Sequence, residues 1–265
     1  MKKSKQILMN NKLILMILVA VLFCVSCVDE NKFDVVATDD IIITNEIETT
    51  IKAIGVIYKE VESISTKIDN GQAIGVNINE DGSGWFYVFD SELLSGKIIV
   101  AYSQSINDNS KMKNVDCSKL KIRYYENTWL RLFGAFTIEN RIIEETNIKN
   151  TIKTIDFGYT NDAGMLPEVT INSDYIIEYN FSQKNDYPKL IYSGTSDGHS
   201  LLLGDYKKTV TKNLEINTNT FNIVDGKIKI TVNKLGENFP IEAEYTPTGR
   251  TIKYKGNEQS TYYSN

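Results

Sequence analysis

His199, in the stretch Thr195-Ser196-Asp197-Gly198-His199-Ser200, is the sole histidine in 265 residues, and three cysteines accompany it: Cys24, Cys27 and Cys117. One imidazole cannot build a zinc site of the histidine-rich kind or a copper site. A thiol–imidazole mechanism would need Cys117 within hydrogen-bond reach of His199, with a third group orienting the ring. Cys117 sits in VDCSKLKIRYY, which reads as the start of a strand with a small, semi-buried thiol, and His199 reads as an exposed turn residue. Glu242 and Glu244 share a strand face, the arrangement carboxylate-driven glycoside chemistry uses. Ile241, Ala243 and Tyr245 alternate with them, however, so the glutamates form the wet side of an amphipathic strand. Asn77, Asn79, Asp81 and Ser83 have the oxygen spacing with which a calcium loop begins, but its twelfth position is Val88. Without a bidentate carboxylate there, Glu80 to Gly84 reads as a hairpin turn. No catalytic residue, metal ligand or cofactor is therefore assigned. Tyr124, Tyr125 and Trp129, grouped around the turn at Glu126-Asn127, are the candidate ligand-binding residues, since exposed aromatics stack on sugar rings or partner surfaces.

The first 26 residues carry a different chemistry. Lys2, Lys3, Lys5 and Lys12 precede an unbroken apolar run from Leu13 to Val25, followed by Ser26-Cys27. Thirteen apolar residues rise roughly 20 Å as a helix, short of the ~30 Å hydrocarbon core, so the segment reads as a cleaved secretory leader. Val25-Ser26-Cys27 resembles a bacterial lipobox, in which a small residue precedes a cysteine that receives diacylglycerol before cleavage. That resemblance implies lipidation of Cys27; bulky Phe23 disfavours the same chemistry at Cys24. Two or more acyl chains hold a protein stably on a membrane, whereas one does not. Val28-Asp29-Glu30 is similar to the acidic export signal of Bacteroidota-type surface lipoproteins, which implies the outer face of the outer membrane.

Removing the four leader lysines leaves 25 basic against 34 acidic residues, a net charge of −9. Such a surface repels a phosphate backbone, and nucleic acid is excluded as an expected partner. Cys117 has no mature partner for a disulfide once Cys27 is lipidated, so stability must come from buried apolar surface, for which about 240 residues suffice.

Four segments follow from the patterning: the leader, 1–26; a tether, 27–43; an amphipathic helix, 44–70; and a β region, 71–265, with a hint of two similar halves. Ile47, Ile51, Ile54, Tyr58, Val61 and Ile68 repeat at the spacing of one helical face, with Asn45 and Glu48 as a capping box and Asp69-Asn70-Gly71 as the stop. The stripe is expected to dock on the chain's own β region rather than on a second helix, because it spans fewer than four heptads. Beyond Gly71, period-two runs separated by turn residues predict an antiparallel, mainly β sandwich or barrel-like domain. Tyr175, Ile177, Tyr179 and Phe181 mark one strand face, and Ile228, Ile230 and Val232 another. WFYVFD from Trp85, apolar on both faces, is expected mid-sheet or beneath the helix. SGKIIVAYS from Ser95 and DGKIKITV from Asp225 share a Gly-Lys turn before a strand, which suggests the halves.

SGKIIVAYS, TIDFGYTNDAG from Thr154, YKKTVTKNLEI from Tyr206, IVDGKIKITV and GRTIKYKG from Gly249, in that order, resemble a group of uncharacterised Bacteroidota lipoproteins over about 160 residues. The resemblance brings no activity with it. The expected protein is a non-enzymatic envelope or surface lipoprotein, held to the membrane by its lipid, whose β domain binds a protein or glycan. The rival readings are a hydrolase acting on polysaccharide or peptide through carboxylates, and a structural envelope subunit.

Overall fold

The computed structural model describes residues 38–265, apart from 105–110, 126–127, 145–146, 162–167, 181–188 and 264–265. Cys27 and most of the expected tether lie outside the described residues. Residues 38–265 belong to one compact unit.

Helix α1 runs Asp39–Asp69, so it begins inside the segment expected as tether, five residues before position 44. Asp39 and Asp40 in the first turn favour the positive end of the helix dipole, and Ile41 to Ile43 extend the apolar pattern toward the N-terminus. Thr38 takes the N-cap position. Asn45 and Glu48 are consequently mid-helix rather than a capping box, and both reach instead for Arg250. The predicted stop is in place: the Gly71 N–H donates to Ile68 O at 3.0 Å and the Gln72 N–H to Lys67 O at 2.7 Å, with Gly71 at φ 69°. That double bond satisfies the last carbonyls of the helix and uses the left-handed backbone that glycine adopts without strain.

Among the described residues, thirteen antiparallel strands follow in one sheet whose spatial order is their sequence order. They are β1 Asn77–Ile78, β2 Gly84–Asp90, β3 Leu94–Gln104, β4 Lys111–Tyr125, β5 Thr128–Glu144, β6 Asn147–Asn161, β7 Val169–Asn180, β8 Lys189–Ser200, β9 Gly204–Asn217, β10 Ile223–Val232, β11 Ile241–Thr246, β12 Gly249–Tyr254 and β13 Asn257–Tyr262. The mainly β, antiparallel domain preceded by one helix is as expected. The sheet is a single open meander, with β1 and β13 as its edges.

The sheet must curl around the helix, and the contacts say why. α1 meets β4 through Glu62 and Lys113, β6 through Tyr58 and Asn150, β8 through Tyr192, and β12 through Glu48 and Arg250. In a flat sheet β4 and β12 would stand eight spacings apart, roughly 38 Å, while a helix with its side chains is about 10–12 Å wide. Only a strongly curved sheet lets both touch one helix. The predicted stripe of Ile47, Ile51, Ile54, Tyr58 and Val61 is fully buried, but so are Ala53, Val56 and Ile57 on other faces. The helix is the centre of the core rather than a cover on one side of it. Polar residues tolerate that position because Thr44 and Thr50 donate to the carbonyls of Asp40 and Glu46, each at 2.6 Å.

Gly96 and Gly226 do not form turns before strands; they lie inside β3 and β10 with φ of 102° and 116°. A Cβ on either would run into the backbone carbonyl of the neighbouring strand, Lys119 or Asn213. Such sites mark sharp strand bends, which a curled sheet requires. The alternations over Tyr175 to Tyr179 and Ile228 to Val232 place their apolar members inward, as read; Phe181 lies outside the described residues. WFYVFD is β2, second from the edge rather than mid-sheet: Trp85 and Phe89 are buried while Val88 is exposed. Beside it, β1 is only two residues long, so among the described residues most of β2 has no strand paired on that side.

Candidate functional site

Successive antiparallel strands alternate direction, so alternate turns share an end of the shell. Glu46, early in the helix, accepts a hydrogen bond from Ser200 at the end of β8. Lys59 donates to the Thr218 carbonyl in the β9–β10 turn at 3.1 Å. The helix N-terminus therefore points to the end bearing the β8–β9, β10–β11 and β12–β13 turns, and its later half lies toward the other.

A recess on the shell lies between the first half of α1, the β9–β10 turn and the end of β13. Its volume is about 310 Å³, and it is lined by Asn45, Glu48, Thr49, Lys52, Phe221, Asn222, Ile223, Thr261, Tyr262 and Tyr263. Helical spacing puts Asn45, Glu48, Thr49 and Lys52 along one side at steps of three, one and three. Behind them Arg250, from β12, donates to both Glu48 and Asn45, which locks the wall of the cleft. Burial pushes the Glu48 carboxyl up, and the guanidinium of Arg250 opposes that push. Burial also lowers the Lys52 amine. On the opposite wall the Tyr263 hydroxyl donates to Ile223 O at 2.8 Å, tying the C-terminal segment to the β9–β10 turn. Tyr262 is 78% exposed and offers its ring to solvent at the rim.

Two further ionisable groups sit deep in the shell. Glu46 is pushed up to about 7, first by burial, with Ser200 donating a hydrogen bond that opposes the rise and Glu168 adding to it. Lys208, fully buried on β9, donates to the Tyr175 hydroxyl, and burial lowers its amine to about 7. Glu62 and Lys113 form a buried ion pair at 2.6 Å near the other end of the helix.

The residues singled out by sequence are scattered. Cys27 lies outside the described residues. Tyr124 and Tyr125 fall on β4, but their side chains are not among those described. Trp129 is half-buried on β5 opposite Arg123. His199 is the penultimate residue of β8 rather than part of a turn; its Nδ1 lies 2.8 Å from the Asp205 carboxylate and both side chains are exposed. Cys117 is wholly buried in β4, where desolvation pushes its thiol up and leaves it a poor nucleophile. Glu242 and Glu244 are exposed on the outer face, Glu244 pairing with Lys227 at 2.9 Å. Asp81 accepts the Ser83 N–H at 2.9 Å in the predicted hairpin turn.

The cleft was missed because its walls come from positions about 45–52, 221–223 and 261–263. Asn45, Glu48 and Lys52 do recur at helical spacing, a signal that could have marked a polar stripe beside the apolar one. Nothing in the sequence announced that Arg250 would stand behind it. No family model matches the chain, and neither a curated protein nor a solved structure is similar to it.

Proposed function

We propose that the protein is a lipid-anchored, non-catalytic envelope protein of the bacterial outer membrane that binds a glycan in the cleft beside α1. The observation that carries the reading is the cleft's lining: amide and hydroxyl side chains from Asn45, Thr49, Asn222 and Thr261, with Phe221 and the exposed Tyr262 beside them. Sugars ask for that mixture, since hydroxyls need directional donors and acceptors while the ring's apolar face stacks on an aromatic. A recess of about 310 Å³ is at the small end of ligand pockets and suits a compact ligand better than the flat surface of a protein partner. The anchoring half of the reading rests on the leader and on Cys27 following Ser26.

The test is titration calorimetry of the purified mature protein against a panel of envelope and host glycans. Binding by the wild type, weakened about tenfold or more by Tyr262→Ala through lost stacking, supports the reading. Absence of binding across the panel, or binding indifferent to Tyr262→Ala and Lys52→Ala alike, refutes it. Turnover of a bound glycan that disappears in Glu48→Gln would instead establish the carboxylate hydrolase.

A further inference from the structure

The end of the shell toward which α1 points its N-terminus carries the exposed apolar tips of adjacent turns. Leu201 and Leu202, in the β8–β9 turn, are 55% and 60% exposed, and Phe239, in the β10–β11 loop, is 50% exposed. These loops are tied together: Lys234, from the β10–β11 loop, donates to Leu202 O at 3.1 Å. Lys255, in the β12–β13 turn, stands 5.0 Å from the Phe239 ring centroid. Glu237 is exposed in the same loop, and Asp205 beside the β8–β9 turn is engaged with His199. Charge is therefore mixed at this end, and its turns present apolar tips to solvent.

The chain leading to Cys27 joins the domain here. Residues 28–37 form ten links between that cysteine and Thr38, a reach of at most about 35 Å. We propose that this end docks on the lipid surface, with Leu201, Leu202 and Phe239 entering the interface and Lys234 and Lys255 at headgroup level. The occupant follows from where the linking chain ends: acyl chains on Cys27 keep this end facing lipid at high local concentration, so a weak apolar contact suffices to seat it. The seated pose directs the opposite end, with the β9–β10 turn, away from the membrane. This inference rests on the anchoring half of the proposed function and is independent of the glycan.

The experiment uses the protein extracted from membranes and reconstituted into phosphatidylcholine vesicles that contain a lipid with a nitroxide in its acyl chain. A fluorophore is attached at Leu202→Cys or, as the control at the opposite end, at Asn219→Cys; buried Cys117 stays unlabelled. Mass spectrometry of the same samples reads the state of Cys27. Docking gives a label at position 202 quenched to about half or less, because interfacial groups sit roughly 5–10 Å into the headgroup boundary, and a label at position 219 left unquenched. Lipid on Cys27, vesicles that carry the protein, and no quenching at position 202 overturn the docking and leave the anchor intact. Equal quenching at both positions overturns the end-on pose. A bare Cys27 on protein that does not float with the vesicles overturns anchor and docking together.

Discussion

Replacing Lys208 by methionine should stabilise the protein at neutral pH and do so less and less as the pH rises. Lys208 is fully buried on β9, its amine donating to the Tyr175 hydroxyl and held at about 7 against an ordinary 10.5 because burial disfavours the ammonium. Between those two values the unfolded chain holds a proton that the folded chain does not, so stability rises with pH across the window. Integrated proton uptake makes the lysine cost the fold roughly 4 kcal/mol at pH 7 and about 2 kcal/mol at pH 9. Methionine keeps the length of the side chain and removes that cost, while the lost hydrogen bond to Tyr175 subtracts about 1 kcal/mol. The expected net gain is about 2–3 kcal/mol at pH 7, shrinking by about 2 kcal/mol at pH 9. Urea unfolding of wild type and Lys208→Met at both values measures it, and the difference between the proteins cancels every other titrating group. A difference that is the same at both pH values, or a variant less stable at pH 7, would show that Lys208 does not sit in the dry interior as a neutral amine.

Glu46 should act in the opposite sense at lower pH. With its carboxyl raised from 4.5 to about 7, the folded chain holds the extra proton in that interval, so stability is full below about 4.5 and falls as the pH climbs to about 7. Partial solvent access limits the loss to about 1–2 kcal/mol, and Glu46→Gln should flatten that part of a thermal-melt pH profile; an unchanged slope refutes the assignment. Lys113→Met leaves the Glu62 carboxylate buried without its 2.6 Å partner and should lower stability by about 3–5 kcal/mol, with much of the loss returned in the Glu62→Leu, Lys113→Met double variant. Equal losses in the single and double variants, read by chemical denaturation, would show that the pair is not what pins the later half of α1 to β4.

Much of this architecture was written in local patterns. The alternation of Ile228, Ile230 and Val232 with Lys227 and Lys229, or of Ile241, Ala243 and Tyr245 with Glu242 and Glu244, names the inward face of a strand because side chains project with period two. The helix stripe from Ile47 to Val61 and the stop at Gly71 were equally readable, since both depend on neighbours within a few residues. The start of α1 was misread because Asn45 and Glu48 have cap-like chemistry at cap-like spacing, and only their long-range partner reveals another use. Antiparallel neighbours needed no more than the short turns between them, but curvature did. It accumulates from bends at positions such as Gly96 and Gly226, whose glycines a sequence reading takes for turns.

The length of the apolar run from Leu13 to Val25, the serine before Cys27, the acidic balance of the chain and the single histidine belong to the sequence alone, because they are properties of composition and of contiguous residues. The cleft belongs to tertiary structure. Arg250 stands about two hundred positions from Asn45 and Glu48, and no periodicity links them; they meet because thirteen strands curl far enough to bring β12 back to the helix with which the domain began. Burial, too, was decided there: Lys208 shares the inward face of β9 with Tyr206, and the curl of the sheet around α1 takes it out of water.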